Sequence, residues 1–148
     1  MKFTCEIIID LPRDRVVELW ENNDNLKHWQ EGFVSYDILD EERDKKGARS
    51  RYVYKMGRKE MEITESIMVD NLPDYFVAYY EHESMSNSMS NHFEIIDTDK
   101  TRWKAVINYT KFNGIIPKAM GFLMPGVFKK QTQKWLDNFK AFAEKEPV

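Results

Sequence analysis

The residue best placed to do chemistry is Glu65. It sits in the alternating run Lys59–Val69, where Met61, Ile63, Ile67 and Val69 share its parity and Glu62, Thr64, Ser66 and Met68 take the other. A strand sends successive side chains to opposite faces, so this spacing sets a carboxylate in an apolar wall. Burial there raises a carboxyl pKa and suits the group to acid–base work. A local bulge, or a pairing with Arg51, would remove that role. Tyr52, Tyr54, Tyr79, Tyr80 and Tyr109 lie on strand patterns and offer hydroxyls to orient a ligand or donate a proton. Tyr52 and Tyr54 share one face and stand or fall together. His82 and His92 flank a polar loop near Glu81, Glu83 and Glu94, but the spacing fixes no third ligand, and no metal site is assigned. His28 beside Trp29 reads as a surface residue. Motifs for hydrolases, zinc sites, nucleotide cradles and redox pairs are missing, and no cofactor is expected.

These side chains need a frame. Residues 2–9 alternate as a strand, with Phe3, Cys5, Ile7 and Ile9 on one face. Pro12 suits a first helical turn, and Val16, Val17, Leu19 and Trp20 make Arg13 to Glu21 a short amphipathic helix. Asn22 to Asn25 breaks it, and Leu26 to Trp29 adds one more turn. After Gly32 the period switches to two. Strands are predicted over Phe33–Asp40, Arg49–Met56, Lys59–Val69, Tyr75–His82, Met89–Asp97 and Thr101–Lys111, with a polar loop at Glu83–Ser88. Met85 within it and Met89 next to it could form a lid or contact a membrane, but an edge-of-core role is the expectation. In the last strand Trp103, Ala105, Ile107 and Tyr109 share the face expected to point inward. The end of the chain reads as one long helix, 114–144, with Phe128, Thr132, Trp135, Leu136, Phe139, Phe142 and Ala143 in a stripe. A bend or break is predicted within Leu123–Gly126, because Pro125 removes an N–H bond and presses on the carbonyl of Gly121. Lys129, Lys130 and Lys134 form a solvated face. Short connections force antiparallel neighbours. One apolar sheet face and one long apolar helix then cover each other.

The chain has 148 residues, enough for one domain, 1–148, with a real core. A net charge of −3 with both signs scattered argues against nucleic acid as a partner. A lone Cys5 excludes an internal disulfide and reads as a small buried hydrophobe. No run is apolar enough for a transmembrane segment and no signal peptide is visible, so the expected location is cytoplasmic. Nine Phe, seven Tyr, four Trp and eight Met supply enough large side chains to fill a core or line a cavity.

The order of elements resembles the SRPBCC superfamily, which includes START domains, the birch-pollen-allergen type and the polyketide cyclase/dehydrase branch. Pro12 and Val16 stand where that family opens its first helix, and Trp29 matches a tryptophan after its second. Thr101 to Tyr109 resembles its last strand. Leu136, Phe139-Lys140 and Glu144 match its usual ending. The resemblance covers nearly the whole chain. It implies an α+β helix-grip fold: a seven-stranded curved antiparallel sheet around a long C-terminal helix, with two short helices between strands 1 and 2.

It also implies an internal cavity for a small hydrophobic or amphipathic molecule such as a lipid or polyketide. We expect the cavity under Met120–Phe128, with Met120, Leu123, Met124 and Phe128 as its adaptable roof. Its mouth is expected near Gly114–Pro117 and the segment Trp29 to Phe33. Trp29, Phe33, Met61, Ile63, Trp103 and Ile107 would line it, and Tyr52, Tyr54, Tyr79 and Tyr109 would supply polar contacts. A volume of about 300–1,000 Å³ is expected. Ligand binding is the first reading. A cofactor-free cyclase or dehydratase using Glu65 or a tyrosine is the second, and a module that docks a protein partner is the third. An apolar cavity with a few hydroxyls favours binding, an ionisable pair within hydrogen-bond reach favours catalysis, and a filled core with an exposed apolar patch favours a partner.

Overall fold

A computed structural model describes residues 1–40, 46–113 and 125–147. The chain runs β1 (Lys2–Ile9), α1 (Arg13–Glu21), a 3-10 turn (Asn23–Asn25), α2 (Leu26–Trp29), β2 (Phe33–Ile38), β3 (Arg49–Met56), β4 (Lys59–Asn71), β5 (Tyr75–Glu81), β6 (Met85–Asp97), β7 (Lys100–Phe112) and α3 (Pro125–Ala143). The strands form one antiparallel sheet in the order β1-β7-β6-β5-β4-β3-β2. From β2 to β7 consecutive strands pair as hairpins, and β1 pairs with β7.

Helix α3 lies on the sheet as its stripe requires. Leu136, Phe139 and Ala143 are fully buried, and Trp135 and Phe142 pack beside them. They meet Trp103, Ala105 and Ile107 of β7, Phe93 of β6 and Cys5 and Ile9 of β1. The rings interlock edge to face: Trp103 stands 5.3 Å from Phe139 and 5.8 Å from Trp29 between ring centroids. One buried hydrogen bond, Trp103 Nε1 to Asn91 Oδ1 at 2.9 Å, orients the indole. The helix also serves the open edge of β1. Gln133 Nε2 donates to the Glu6 carbonyl and Lys140 Nζ to the Ile8 carbonyl, at 3.0 and 2.7 Å. Edge carbonyls that would invite another strand are thereby met from within.

Gly32 makes the sharp passage from α2 into β2. Its φ is +86°, and a Cβ there would lie 2.7 Å from the Lys55 carbonyl oxygen. Lys55 N donates to the Gly32 carbonyl at 2.7 Å, which fixes β3 against the turn.

The structure corrects three expectations. Val69 does not face the helix; it is 39% exposed. Ile67 pairs with Ala78 but Val69 pairs with Val77, so Met68 is an extra residue in a bulge that reverses the parity beyond it. Strand β6 begins at Met85, four residues before the expected Met89. Ser86, Asn87 and Ser88 are poor strand formers, but β5 and β7 pair with them from both sides. The strand from Phe33 ends at Ile38 rather than Asp40. Met120, Leu123, Met124 and most of the expected bend lie outside the described residues, and the described helix starts at Pro125.

Candidate functional site

The inward rows of β3, β4 and β5 build a second, different surface. On β3 they read Ser50, Tyr52, Tyr54; on β4, Met61, Ile63, Glu65, Ile67; on β5, Phe76, Ala78, Tyr80. Register brings Glu65 opposite Ser50 on one side and Tyr80 on the other. The Tyr80 hydroxyl donates to Glu65 Oε2 at 2.8 Å, and the Tyr52 hydroxyl donates to Oε1 at 3.3 Å. Each carboxylate oxygen is thus held by a phenol. Arg51 is not involved: it turns to the outer face and pairs with Asp37 at 3.0 Å. The parity that places Glu65 inward is correct.

Opposite this row stand α1, the 3-10 turn and α2. Asn25 Nδ2 donates to the Leu19 carbonyl and Asn22 Oδ1 accepts from Asp24 N, which shapes the turn between the helices. Tyr54 donates to Gln30 Oε1 at 2.7 Å and ties the end of α2 to β3. Between the two walls lies a pocket of about 240 Å³. Its helix wall is Trp20, Glu21, Asn23, Leu26, Trp29 and Gln30. Its sheet wall includes Tyr52, Tyr54, Glu65, Ile67, Phe76 and Tyr80, and Asp70 and Leu72 close one end. The bulge at Met68 turns Asp70 inward, opposite Phe76.

Two donors on the helix wall, Asn23 Nδ2 and Trp29 Nε1, are buried without a hydrogen-bond partner among the described residues. A buried N–H left unmet costs about 1–3 kcal/mol. Burial first, and then the charge of Glu65, push the Tyr80 phenol well above its ordinary pKa. Burial likewise raises Tyr54, helped by Tyr52 and Glu65. Both phenols are therefore neutral donors at any physiological pH.

No family model matches this chain, and no curated protein matches it. Solved structures do. A protein of Thermus thermophilus aligns over 97% of this chain and 97% of its own, at 17% identity and a TM-score of 0.77. The ZhuI aromatase/cyclase of Streptomyces sp. R1128 aligns over 98% and 94%, at 12% identity and a TM-score of 0.80. A START superfamily protein of Mycobacterium smegmatis aligns over 91% and 93%, at 9% identity and a TM-score of 0.73. The chain has the START-like helix-grip fold. At these identities the likeness carries the fold alone.

Within the helix-grip frame the expected site residues separate into groups. Trp29, Tyr52, Tyr54 and Glu65 line the described pocket. Phe33 stands edge-on to Tyr54 at 5.9 Å, and Met61 and Ile63 pack against the main core. Trp103 and Ile107 are buried in that core and do not reach the pocket. Tyr109 joins Phe3, Phe112 and Phe128 in a separate aromatic cluster, with its ring centroid 4.9 Å from that of Phe128. Tyr79 does not face inward. It lies on the outer face with its hydroxyl 3.3 Å from Thr110 Oγ1, because Tyr80 takes the inward position opposite Glu65.

The described pocket lies beside α1 and α2; the cavity expected under Met120–Phe128, with its mouth at Gly114–Pro117, falls mostly outside the described residues. His82 and His92 sit near opposite ends of the β5–β6 ladder, about 24 Å apart at ~3.4 Å per residue. No group of three metal-ligating side chains occurs among the described residues. No described helix is long and apolar enough to cross a membrane.

Trp20, Asn23, Leu26, Gln30 and Phe76 were not expected at the site. Alternation along β5 marks Phe76 and Tyr80 as partners of one face. Nothing local marks Asn23 or Gln30, which reach the pocket only through the docking of α2.

Proposed function

We propose that the protein binds a small amphipathic molecule in the pocket between α1–α2 and β3–β5. The observation that carries this reading is the pocket's make-up. Aromatic and aliphatic walls surround a few fixed polar groups, chief among them Glu65 held by Tyr52 and Tyr80. The aromatase/cyclase ZhuI shows that the same fold accommodates work on a small molecule. Native mass spectrometry of the protein purified from its own host tests the proposal. A retained small molecule is expected, and it should be absent from Ile67→Phe, whose larger ring enters the pocket. No adduct in either protein, or equal adducts in both, would count against the pocket.

A cofactor-free cyclase or dehydratase is the second reading, and Glu65 within hydrogen-bond reach of two phenols favours it. A general acid works best with a pKa near the working pH. Tyr80 lies well above that, so proton transfer would fall to Glu65, with the phenols positioning it. Under this reading Glu65→Gln retains the bound molecule but no longer converts it. Release of the same unconverted molecule from both proteins would remove the enzymatic reading.

A further inference from the structure

The outer face of the sheet, away from the helices, carries a pattern that the pocket does not use. Register lines up four rows across β7, β6 and β5: Lys104, His92 and Tyr75; Val106, Ser90 and Val77; Asn108, Ser88 and Tyr79; Lys111, Ser86 and Glu81. Strand β4 extends the two middle rows with Val69 and Ser66, and β1 extends them with Thr4 and Lys2. From β7 to β4 the middle rows hold no charged side chain, in a chain that is 32% charged. Depletion of charge around a tyrosine is the make-up of an interface centre rather than of an ordinary solvated face. The two tyrosines are already fixed. Tyr75 stacks on His92 at 5.6 Å between ring centroids, and the Tyr79 hydroxyl stands 3.3 Å from Thr110 Oγ1. Little side-chain freedom remains to be lost on contact.

The rows are also self-complementary, with β6 as their midline. A two-fold axis along β6 lays β7 of one copy over β5 of another. It sets Val106 over Val77, Asn108 over Tyr79 and Lys104 over the ring of Tyr75. The last row sets Lys111 over Glu81, one such ion pair on each side of the axis. Thr4 covers Val69, which is 39% exposed in the single chain, and Lys2 meets Ser66. Ser86, Ser88, Ser90 and His92 lie on the axis, where the small serines let the two β6 strands approach. A two-fold across the strands would instead set Lys104 against Lys111 of the copy, a like-charge contact. Five strands by four rows span about 24 Å by 27 Å, or about 650 Å² on each copy. A pair would bury about 1,300 Å², at the low end of specific interfaces and above most chance contacts.

We propose that this outer face pairs two copies of the chain, sheet on sheet, about a two-fold along β6. Sedimentation equilibrium on the full chain tests it. The weight-average mass should rise from one chain towards two between about 1 and 300 µM, in line with a Kd of about 10 µM. Ser90→Arg places two like charges on the axis and should weaken pairing about a hundredfold or more, with circular dichroism to check its fold. Lys111→Glu and Glu81→Lys each set like charges together at two places and should each weaken pairing about tenfold or more. Mixed one to one, these two variants should pair with each other about as well as the wild type, because each contact then joins opposite charges. A chain that stays single through about 300 µM leaves this face to another protein or to solvent and overturns the proposal. Dimers untouched by Ser90→Arg overturn it too, as does a mixture of the two charge variants that stays monomeric. The charge exchange decides the matter even if Ser90→Arg folds poorly.

Discussion

The two ends of the inner sheet face are covered by helices, yet one is filled and the other is not. Under α3, Trp103, Phe93, Phe139 and Leu136 are all within 1% of complete burial; Trp103 meets Phe139 edge to face and stacks on Phe93. Under α1 and α2 the sheet presents Ser50 and Ala78 between its tyrosines, and a pocket remains. Large interlocking rings leave no space, whereas small residues beside rigid rings do. The polar groups differ in the same way. In the filled end the Trp103 indole bonds the Asn91 amide among apolar neighbours. At the pocket a carboxylate is held by two phenols, whereas buried N–H groups without a partner among the described residues occur at both ends: Asn91 Nδ2 and Trp135 Nε1 under α3, Asn23 Nδ2 and Trp29 Nε1 beside the pocket. One fold thus keeps a packed aromatic core at one end and a polar-lined pocket at the other.

Truncation should separate the two ends most sharply. Phe139→Ala should cost about 3–5 kcal/mol in chemical denaturation, as expected for a buried ring. Phe76→Ala, which borders existing space, should cost about 2 kcal/mol. Equal losses would mean that the two ends are packed alike. Removing the polar partner of the filled end, Asn91→Ala, should cost about 1–3 kcal/mol by stranding the Trp103 N–H.

Alkaline titration sharpens the comparison further. Burial lifts Tyr109, outside the pocket, to about 12, and lifts Tyr80 and Tyr54 well above the ordinary phenol value too. A phenol with a raised folded pKa binds its proton more tightly in the folded state. Its stabilising effect is complete below the unfolded pKa of about 10 and is lost as pH rises through the folded value. Stability should therefore be flat below about pH 10 and fall between pH 10 and 12, by on the order of 2 kcal/mol for Tyr109. Absorbance at the tyrosinate band should show Tyr54 and Tyr80 ionising only on unfolding. Ionisation of all tyrosines near 10 in the folded protein would contradict the buried pocket wall. The smallest effect belongs to Glu144. Burial opposes its charge, but hydrogen bonds from Lys140 and from Asp10 N outweigh that and lower its pKa. It clips the end of β1 to α3 at the surface, and Glu144→Gln should cost less than about 1 kcal/mol, read as a shift of a few degrees at most in Tm.

Most of the frame was legible because it rests on periodicity. Arg13–Glu21, Leu26–Trp29 and Arg49–Met56 have the bounds the pattern implies, and the α3 stripe is buried where the spacing puts it. Val69 escaped because a bulge depends on how β4 pairs with β5, which is not a local property. The inward carboxylate at Glu65 was legible from parity alone. Its phenol partners were only half legible. Tyr52 shares its face, but choosing Tyr80 over Tyr79 requires the β4–β5 register. Asn23 and Gln30 left no signal, since polar residues in a turn read as solvated until tertiary docking covers them.

The central claim, that recognition belongs to the α1–α2 end, is tested most directly by locating a bound molecule. Isotope-filtered nuclear Overhauser measurements on labelled protein with 6-cyano-2-naphthol, a small amphipathic probe, report which side chains touch it. The account predicts contacts to Trp20, Ile67 and Tyr80. Contacts confined instead to Tyr109, Phe112 and Phe128 would place the binding site at the other aromatic cluster and contradict it.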